Sequence, residues 1–327
     1  MVGKKTKDAM ASCSILPGIA GVSPYENASK AMTLSRCIRA KNGEDVRGDQ
    51  NQLMFMGDLL ENTLLEHTVS KLRLVNADYD VDYAIRHDDL PLEGSMDAIA
   101  YAGEKHRIEH DPGAGIFVMG SNMAEMSGEV VLECKVTRDY PEDEPPPWRG
   151  VMQLQGLMDI KKAQWGVLCI LYQSTTFRIF IYHRNEVQVK EIHKLVKDFD
   201  RRIQEEDPYP PVNPDEALTI WQQADEAAEP IELEEEAKDQ IDLIDLSSEK
   251  STYWNEVKKE ATANLMAMLK EKEKGVYLDP NSGNQFEVTW PTRHYAAKEQ
   301  KITPAKDGYS IRLKSLKIRE IKNEDPE

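Results

Sequence analysis

Residues 129–136, with the sequence EVVLECKV, place two opposite charges inside an apolar run. A short run of mainly apolar and β-branched residues is typical of a buried β-strand. Successive side chains of a strand point to opposite faces, so Glu133 and Lys135 project together while Cys134 points the other way, into the core. Because unpaired charges are costly in apolar surroundings, this strand predicts a polar site on one face of a buried sheet.

The segments around this strand predict alternating helices and strands. Apolar residues at helical spacing predict helices over residues 51–74, 151–162 and 188–205. Short β-rich runs predict a strand over residues 95–101 and a hairpin built from residues 166–172 and 178–184. A chain of helix, short sheet, helix, hairpin and helix is expected to form an α/β or α+β core.

The charge distribution predicts where this core ends. The net charge of -17 is concentrated in residues 206–246, which carry 1 basic and 14 acidic side chains. This segment also opens with a proline-rich stretch, and together these features predict a linker. We therefore expect a core over residues 1–205, an acidic linker over 206–246 and a C-terminal extension over 247–327. For the extension the pattern predicts a charged helix over 251–274 and strands over 277–290 and 309–317.

Composition excludes several classes of protein. No apolar run approaches the ~18 to 20 residues that cross a bilayer, and the first ten residues lack the apolar stretch of a secretory signal. The expected setting is therefore the cytoplasm, with no membrane partner. The four cysteines are scattered without a CxxC pair, which argues against a zinc site, a disulfide framework and an iron–sulfur cluster.

Asp97 is the second half of the predicted site. It begins the strand predicted over residues 95–101, and if this strand neighbours the one that carries Glu133 and Lys135, two carboxylates and one ammonium converge. Hard carboxylate oxygens suit Mg²⁺, and Mn²⁺ is also possible. Such a metal activates water and neutralises phosphoryl charge, while a lysine orients the water or helps to deprotonate it, so the set suits phosphodiester hydrolysis. The plainer alternative is a surface aspartate and a cross-strand Glu–Lys pair.

The order of these motifs resembles a known fold core. Over residues 12–205 the chain looks like the lambda-exonuclease (YqaJ) type of viral recombination nuclease, within the PD-(D/E)xK superfamily. The resemblance rests on five motifs, namely SCSILPGIAGVSPY at 12–25, GDLLE at 57–61, GSMDAI at 94–99, ECK at 133–135 and QLQ at 153–155. It implies a PD-(D/E)xK core with a central mixed sheet flanked by helices, followed by a small appendage of a helix and strands.

The resemblance also implies roles for individual residues. Asp97 and Glu133 would be the metal ligands, the carbonyl of Cys134 a further ligand, and Lys135 the residue that acts on the water. Glu61, on the helix predicted over residues 51–74, would be an auxiliary acid, and Gln153 would border the site. The 5′ phosphate of the degraded strand would be held by three side chains, namely Ser14, Ser95 and Arg138. The chain departs from the family in a glycine-rich insertion over residues 104–128.

The implied activity is Mg²⁺-dependent digestion of double-stranded DNA from a 5′ end. It would release mononucleotides and leave a 3′ single strand for a phage annealing protein, and the enzyme would be a closed homotrimeric ring in the host cytoplasm. Two alternatives remain open. One is a PD-(D/E)xK endonuclease that cuts internally, and the other is a DNA-end-binding protein that keeps a degenerate nuclease core.

Overall fold

The computed structural model describes residues 8–46, 48, 51–79, 81, 83–221, 233, 235–269, 272, 274–278, 280 and 285–289. The chain divides into two compact units, Met1–Gln222 and Gln223–Glu327. Their border falls inside the segment 206–246 that the charge pattern marks as a linker. The exact ends of the predicted core and extension, at residues 205 and 247, stay predictions.

The first unit contains six helices and nine strands in its described residues. Its helices are α1 Leu16–Ala20, α2 Lys30–Lys41, α3 Gln52–Lys71, α4 Met152–Lys161, α5 Glu186–Glu205 and α6 Pro214–Ile220. Its strands are β1 Ala11–Ser12, β2 Val75–Asp78, β3 Ile85–Arg86, β4 Leu92–Gly94, β5 Ala98–Glu109, β6 Ile116–Val118, β7 Met123–Thr137, β8 Trp165–Tyr172 and β9 Thr176–His183. The predicted helices and hairpin of this region are found, but the strand predicted over residues 95–101 begins at Ala98 and runs to Glu109, so Ser95 and Asp97 precede it.

The core of the first unit is a mixed six-stranded sheet in the order β2-β5-β7-β8-β9-β6. Strand β7 pairs antiparallel with β5 and parallel with β8, and β8 and β9 form the predicted antiparallel hairpin. Residues of α3 pack with one hydrophobic cluster, and residues of α1, α4 and α5 pack with another. This arrangement confirms a mixed α/β core with a central sheet flanked by helices. Strands β1, β4 and β3 form a separate small sheet.

The two faces of strand β7 pack into the two different hydrophobic clusters, because successive side chains of a strand point to opposite sides. Val131 belongs to the cluster with α4 and α5, whereas Leu132 and Cys134 belong to the cluster with α3. Because residues two apart share a face, Glu133 and Lys135 lie on the side of Val131. The prediction that Cys134 points into the core, away from the two charged side chains, is confirmed.

The flanking helices begin at the capping residues that their sequences offer. The side chain of Asn51 accepts a hydrogen bond from the backbone N–H of Met54 at 2.9 Å and starts α3. Asn185 starts α5 by accepting from the N–H groups of Val187 and Gln188. The buried residues of α5 follow one helical stripe, Val189, Ile192, Val196, Phe199 and Ile203. No helix in the described part of the chain combines the length and apolarity that a membrane span needs.

The insertion over residues 104–128 is part of the sheet. The antiparallel ladder of β5 and β7 continues as far as the pair Glu109 and Met123, so the two strands form a long arm. Between them, β6 pairs in parallel with β9 at the other edge of the sheet. The turn before β6 needs a glycine, because Gly115 has a φ of +72° and a Cβ there would lie 2.8 Å from the carbonyl oxygen of Phe177.

The second unit contains one long helix and one hairpin in its described residues. Helix α7, Glu236–Leu269, has 34 residues and begins well before the predicted start at residue 251. The acidic segment is therefore helical over its last part. Strands β10, Lys274–Leu278, and β11, Gln285–Thr289, pair antiparallel and lie in the region predicted to be β-structured. The strand predicted over residues 309–317 lies outside the described residues.

Candidate active site

The structure brings Asp97, Glu133 and Lys135 together where β5 begins beside β7. Ala98 pairs with Leu132, and continuing that antiparallel register places Asp97 opposite Glu133. Oδ2 of Asp97 accepts a hydrogen bond from the backbone N–H of Cys134 at 2.8 Å, which fixes the carboxylate beside the strand. Nζ of Lys135 donates to Oε1 of Glu133 at 2.5 Å. The convergence predicted from the sequence is therefore present.

Glu133 is a buried carboxylate with one unsatisfied oxygen. The residue is 1% exposed, and its Oε2 atom has no hydrogen-bond partner among the described residues. Burial raises the pKa of Glu133 to about 8, and the negative charge of Asp97 adds to this effect, while the attraction of Lys135 opposes it. An ionised carboxylate with an open oxygen, next to a second carboxylate, is a site that a cation would stabilise.

Lys135 carries a positive charge in this site. Burial alone would lower its pKa, but the charges of Glu133 and Asp97 outweigh that effect and hold the pKa above the ordinary lysine range. The side chain is 36% exposed, so the ammonium also reaches solvent. A lysine whose proton is held this firmly is suited to orienting water and offsetting negative charge, and poorly suited to act as a base.

Helix α3 supplies the third carboxylate. Glu61 lines a cleft of about 300 Å³ together with Asp58 of the same helix and with Cys134 and Lys135 of β7. The negative charge of Glu61 also contributes to the raised pKa of Glu133. Glu61, Asp97 and Glu133 offer hard carboxylate oxygens of the kind that suits Mg²⁺ or Mn²⁺, but the three carboxylates are not gathered within 4.8 Å of one another, so their role as a common metal site stays a prediction.

The two glutamines of the QLQ motif have different surroundings. Gln155 is 1% exposed, donates to the carbonyl of His183 at 3.3 Å and accepts from the N–H of Asn185 at 2.8 Å, so it joins α4 to the turn between β9 and α5. Gln153 is also buried, but lies about 200° further back around the helix and makes neither of these bonds. Gln155 therefore has a structural role, and the functional role of Gln153 stays a prediction.

A second cleft of about 220 Å³ is lined by residues of β1, α1 and α2 and by Trp148. Its lining includes Ser12 and Ser14, whose hydroxyl oxygens are 3.1 Å apart, and Arg36 of α2. Strands β1 and β4 are parallel, with Ser12 paired to Glu93; Ser14 follows β1 in a short 3-10 helix, and Ser95 directly follows β4. Two of the three predicted phosphate ligands thus lie just after the ends of two paired strands, and Ser95 is two residues before Asp97.

The arginine at this cleft differs from the one that the sequence suggests. Arg138 is exposed just after β7, whereas Arg36 lines the cleft with its side chain 45% exposed and Asp8 at 3.6 Å. Arg36 lies 22 residues after Ser14, on a separate helix, so no local spacing pointed to it. The role of Arg138 stays a prediction.

Trp148 is held at the edge of the same cleft. The guanidinium carbon of Arg149 lies 4.3 Å from the centre of its ring, and Tyr25 contacts it edge-on at 5.7 Å between centroids. Arg149 is itself buried, and it donates to Thr137 at 3.1 Å and to Asp139 at 2.7 Å. Because these hydrogen bonds fix Arg149, they also fix the position of the tryptophan ring.

Asp159 forms a separate polar cluster on the α4 side of the sheet. Its Oδ2 atom lies 3.1 Å from Nε2 of His87 and 2.6 Å from Nε2 of His193, and its Oδ1 accepts from Arg184 at 2.6 Å. These three possible metal ligands come from three distant segments, so spacing in the sequence could not reveal them.

The tautomer of His87 argues for protons rather than a metal in this cluster. Its Nδ1 atom accepts the backbone N–H of Asp89 at 3.0 Å, which leaves the ring proton on Nε2, directed at Asp159. A metal bound at Nε2 would require that proton to move to Nδ1, facing another donor. We therefore interpret the cluster as a structural link between the β3–β4 turn, α4 and α5.

The sequence matches no protein-family model and no curated protein. Solved structures that resemble the chain include the alkaline exonuclease LHK-Exo from Laribacter hongkongensis in complex with dAMP. Its sequence identity to this chain is 14% and the TM-score is 0.44; the match covers 61% of this chain and 90% of that chain. A second structure of the same enzyme has 13% sequence identity and a TM-score of 0.43, and the match covers 61% of this chain and 90% of that chain. A phage-related exonuclease from Haemophilus somnus has 12% sequence identity and a TM-score of 0.40, and the match covers 60% of this chain and 96% of that chain. Each of these structures is of an exonuclease.

Proposed function

We propose that the chain is a divalent-metal-dependent nuclease that hydrolyses DNA phosphodiester bonds at the cleft beside Asp97, Glu133 and Lys135. The observation that carries this proposal is the Glu133 carboxylate. It is buried, one of its oxygens lacks a partner among the described residues, and a second carboxylate and a lysine ammonium lie beside it. A buried acid in this state is destabilising unless a cation binds it, which favours a functional over a structural role.

The residues would divide the chemistry as follows. Asp97, Glu133 and the carbonyl of Cys134 hold the metal, and Glu61 faces the same cleft from α3. A divalent cation bound there supplies Lewis acidity and lowers the pKa of bound water. Lys135 orients the attacking water and offsets negative charge on the phosphoryl oxygens, a role that its raised pKa supports.

The finer proposal is a 5′-to-3′ exonuclease that acts on duplex ends. It is supported by the second cleft, where Ser14 and Arg36 offer hydrogen-bond donors and a positive charge to a terminal phosphate, with Ser95 at the adjacent strand end. Digestion from this end releases mononucleotides and leaves a 3′ single strand. On the strength of the resemblance described above, we propose that the chain acts in phage-type recombination in the host cytoplasm. There it would form a homotrimeric ring and work with a single-strand annealing protein.

The test uses linear duplex DNA with a 5′ phosphate and a label at one 5′ end, and covalently closed circular DNA as the control. Early release of labelled mononucleotide in Mg²⁺ or Mn²⁺, with an intact circle and no reaction in EDTA, supports the exonuclease. Labelling the 3′ end instead reports the direction, because a 5′-to-3′ enzyme releases that label last.

The same experiment separates the alternatives. Cutting of the closed circle would assign the protein to the endonucleases and overturn the exonuclease proposal. Absence of hydrolysis with either metal, together with stable binding to DNA ends, would indicate a binding protein that retains the fold. The carboxylates and lysine of the site are all in place, which favours the enzyme over this last alternative.

A further inference from the structure

Helix α7 carries an apolar stripe along most of its length. At about 100° per residue, Leu243, Trp254 and Leu265 fall on one line, because they are separated by 11 residues, or three turns. Apolar residues close to this line, together with one lysine, form a stripe about 100° wide, and the polar Ser247 and Asn264 lie at its two edges; its members are Leu243, Leu246, Lys250, Trp254, Val257, Ala261, Leu265 and Met268. Lys250 is the only charged side chain among these eight.

The large side chains of this stripe are exposed in the described part of the second unit. Trp254 is 63% exposed, Met268 76% and Leu243 57%, and the others in the stripe are also more than a third exposed. A helix of 34 residues with one apolar face gains most of its stability from packing that face against another element. An exposed apolar surface of this length therefore marks an interface.

The spacing within the stripe fits a second copy of the same helix. Its residues follow one another at intervals of 3, 4, 4, 3, 4, 4 and 3, a series that reads the same in both directions. If a second copy of the helix runs antiparallel, every stripe residue therefore meets a stripe residue, and large side chains meet large ones. The 11-residue repeat is close to the natural period of an α-helix, so two such helices remain in contact over many turns.

The pairing that results is specific. About a two-fold axis between Asn255 and Glu256, the facing pairs are Leu243 with Met268, Leu246 with Leu265, Lys250 with Ala261, and Trp254 with Val257. The one charged residue of the stripe thus faces the smallest, and a lysine stem can lie along an alanine while its ammonium reaches water.

The charges of the helix favour the same direction. Residues 236–249 carry five acidic and one basic side chain, whereas residues 250–269 carry three basic and two acidic ones. In a parallel pair the two acidic halves would lie side by side and repel each other. In an antiparallel pair each acidic half lies beside the more basic half of its partner.

We propose that α7 is a dimerisation helix, which pairs with α7 of a second copy of this chain in an antiparallel arrangement through the stripe from Leu243 to Met268. This interface is isologous, since the same surface is used on both copies. The proposal rests on the second unit alone and is independent of the proposed nuclease activity. If the chain also forms the proposed trimeric ring, α7 pairs copies from two different rings, because three copies cannot all pair two by two within one ring.

The direction of pairing is tested by oxidative cross-linking of the full chain. The four native cysteines are buried, so new cross-links report on introduced thiols. Leu246→Cys and Leu265→Cys are expected to give no cross-link as single variants. In an antiparallel pair, the introduced thiol of one copy lies roughly 28 Å along the helix from the same thiol of the other copy. The double variant is expected to give a covalent dimer, because residue 246 then faces residue 265 of the partner. Cross-linking of either single variant would show a parallel pair, and failure of the double variant would remove the pairing; either result overturns the proposal.

The mass of the assembly in solution tests the stripe itself. Leu265→Lys puts two charges into the interface of a dimer and should weaken its association roughly 100-fold or more. Ala263→Lys is the matched control, because it adds the same side chain on the opposite face of the helix, and should leave the mass unchanged. A monomeric wild-type chain at micromolar concentration, or an assembly that is indifferent to Leu265→Lys, would overturn the proposal.

Discussion

Nζ of Lys135 lies 2.5 Å from Oε1 of Glu133, and the second oxygen of that buried carboxylate has no hydrogen-bond partner among the described residues. One side of Glu133 is thus neutralised by the protein, and the other faces the position in which we propose a metal. This asymmetry distinguishes the pair from an ordinary structural salt bridge, in which both carboxylate oxygens are satisfied by donors.

Glu133→Gln should abolish stabilisation by Mg²⁺. The amide keeps the shape of the side chain but lacks the charge that holds a cation, so Mg²⁺ should no longer raise the melting temperature. In the wild type, Mg²⁺ at a hundred times its dissociation constant stabilises by about 2.7 kcal/mol. Thermal unfolding with and without Mg²⁺ measures this. Glu129→Gln, an exposed position on the same strand, is the control, and an unchanged Mg²⁺ response in Glu133→Gln would remove this residue from the metal site.

The metal-free protein should lose stability as the pH rises toward 8. The pKa of Glu133 is raised from 4.5 to about 8, so the folded state binds a proton that the unfolded state has released. The resulting stabilisation is complete below about pH 4.5 and disappears as the pH passes through about 8. Mg²⁺ requires the ionised carboxylate, so its stabilising effect should grow between pH 6.5 and 9. Urea unfolding in EDTA and in Mg²⁺ measures both trends, and both should be absent in Glu133→Gln.

Lys135→Ala should reduce turnover by roughly 100-fold to 10,000-fold while metal and DNA binding persist. The lysine acts mainly on charge that develops during the reaction, so its loss affects kcat more than binding. Lys162→Ala is the matched control, because that lysine is exposed and forms an ion pair with Asp88. Single-turnover rates and a DNA-binding titration give the comparison. Turnover that is equal in the two variants would exclude Lys135 from the chemistry.

Gln155→Ala should destabilise the fold by about 1–3 kcal/mol, because two buried hydrogen bonds to the β9–α5 turn are lost. Gln153→Ala should cost less stability and lower turnover instead. Denaturant unfolding and nuclease rates, measured on both variants, test this division of roles. The assignment fails if the two variants show the reverse pattern.

Arg36→Ala should raise KM by roughly 10-fold for duplexes with a 5′ phosphate and leave duplexes with a 5′ hydroxyl almost unaffected. The expected size is that of one charge-assisted contact, about 1.4 kcal/mol. Arg39→Ala, one turn further along α2 and paired with Glu44, is the control. Equal effects on both kinds of end would show that the cleft of Ser14 and Arg36 does not hold the terminal phosphate.

The sequence alone determined the elements whose periodicity is strong. The alternation in EVVLECKV predicted that Glu133 and Lys135 share a face opposite Cys134, because side chains on a strand alternate regardless of neighbours. The stripe of α5 and the β8–β9 hairpin were predicted equally well. Asp97 was identified because it belongs to the strand predicted over residues 95–101. In the structure it directly precedes β5, and the pairing of β5 with β7 brings it beside Glu133.

Tertiary structure alone decided the features that depend on contacts between distant segments. The insertion over residues 104–128 forms the far part of the β5–β7 ladder and the edge strand β6, which pairs with β9. No local sequence pattern predicts that pairing. Arg36 reached the cleft of Ser14 through the packing of α2, and Asp159 met two histidines from other elements in the same way. Local periodicity records which face of an element is buried. Which side chains meet across that buried face is set by the pairing of strands and the packing of helices, and these are long-range properties of the folded chain.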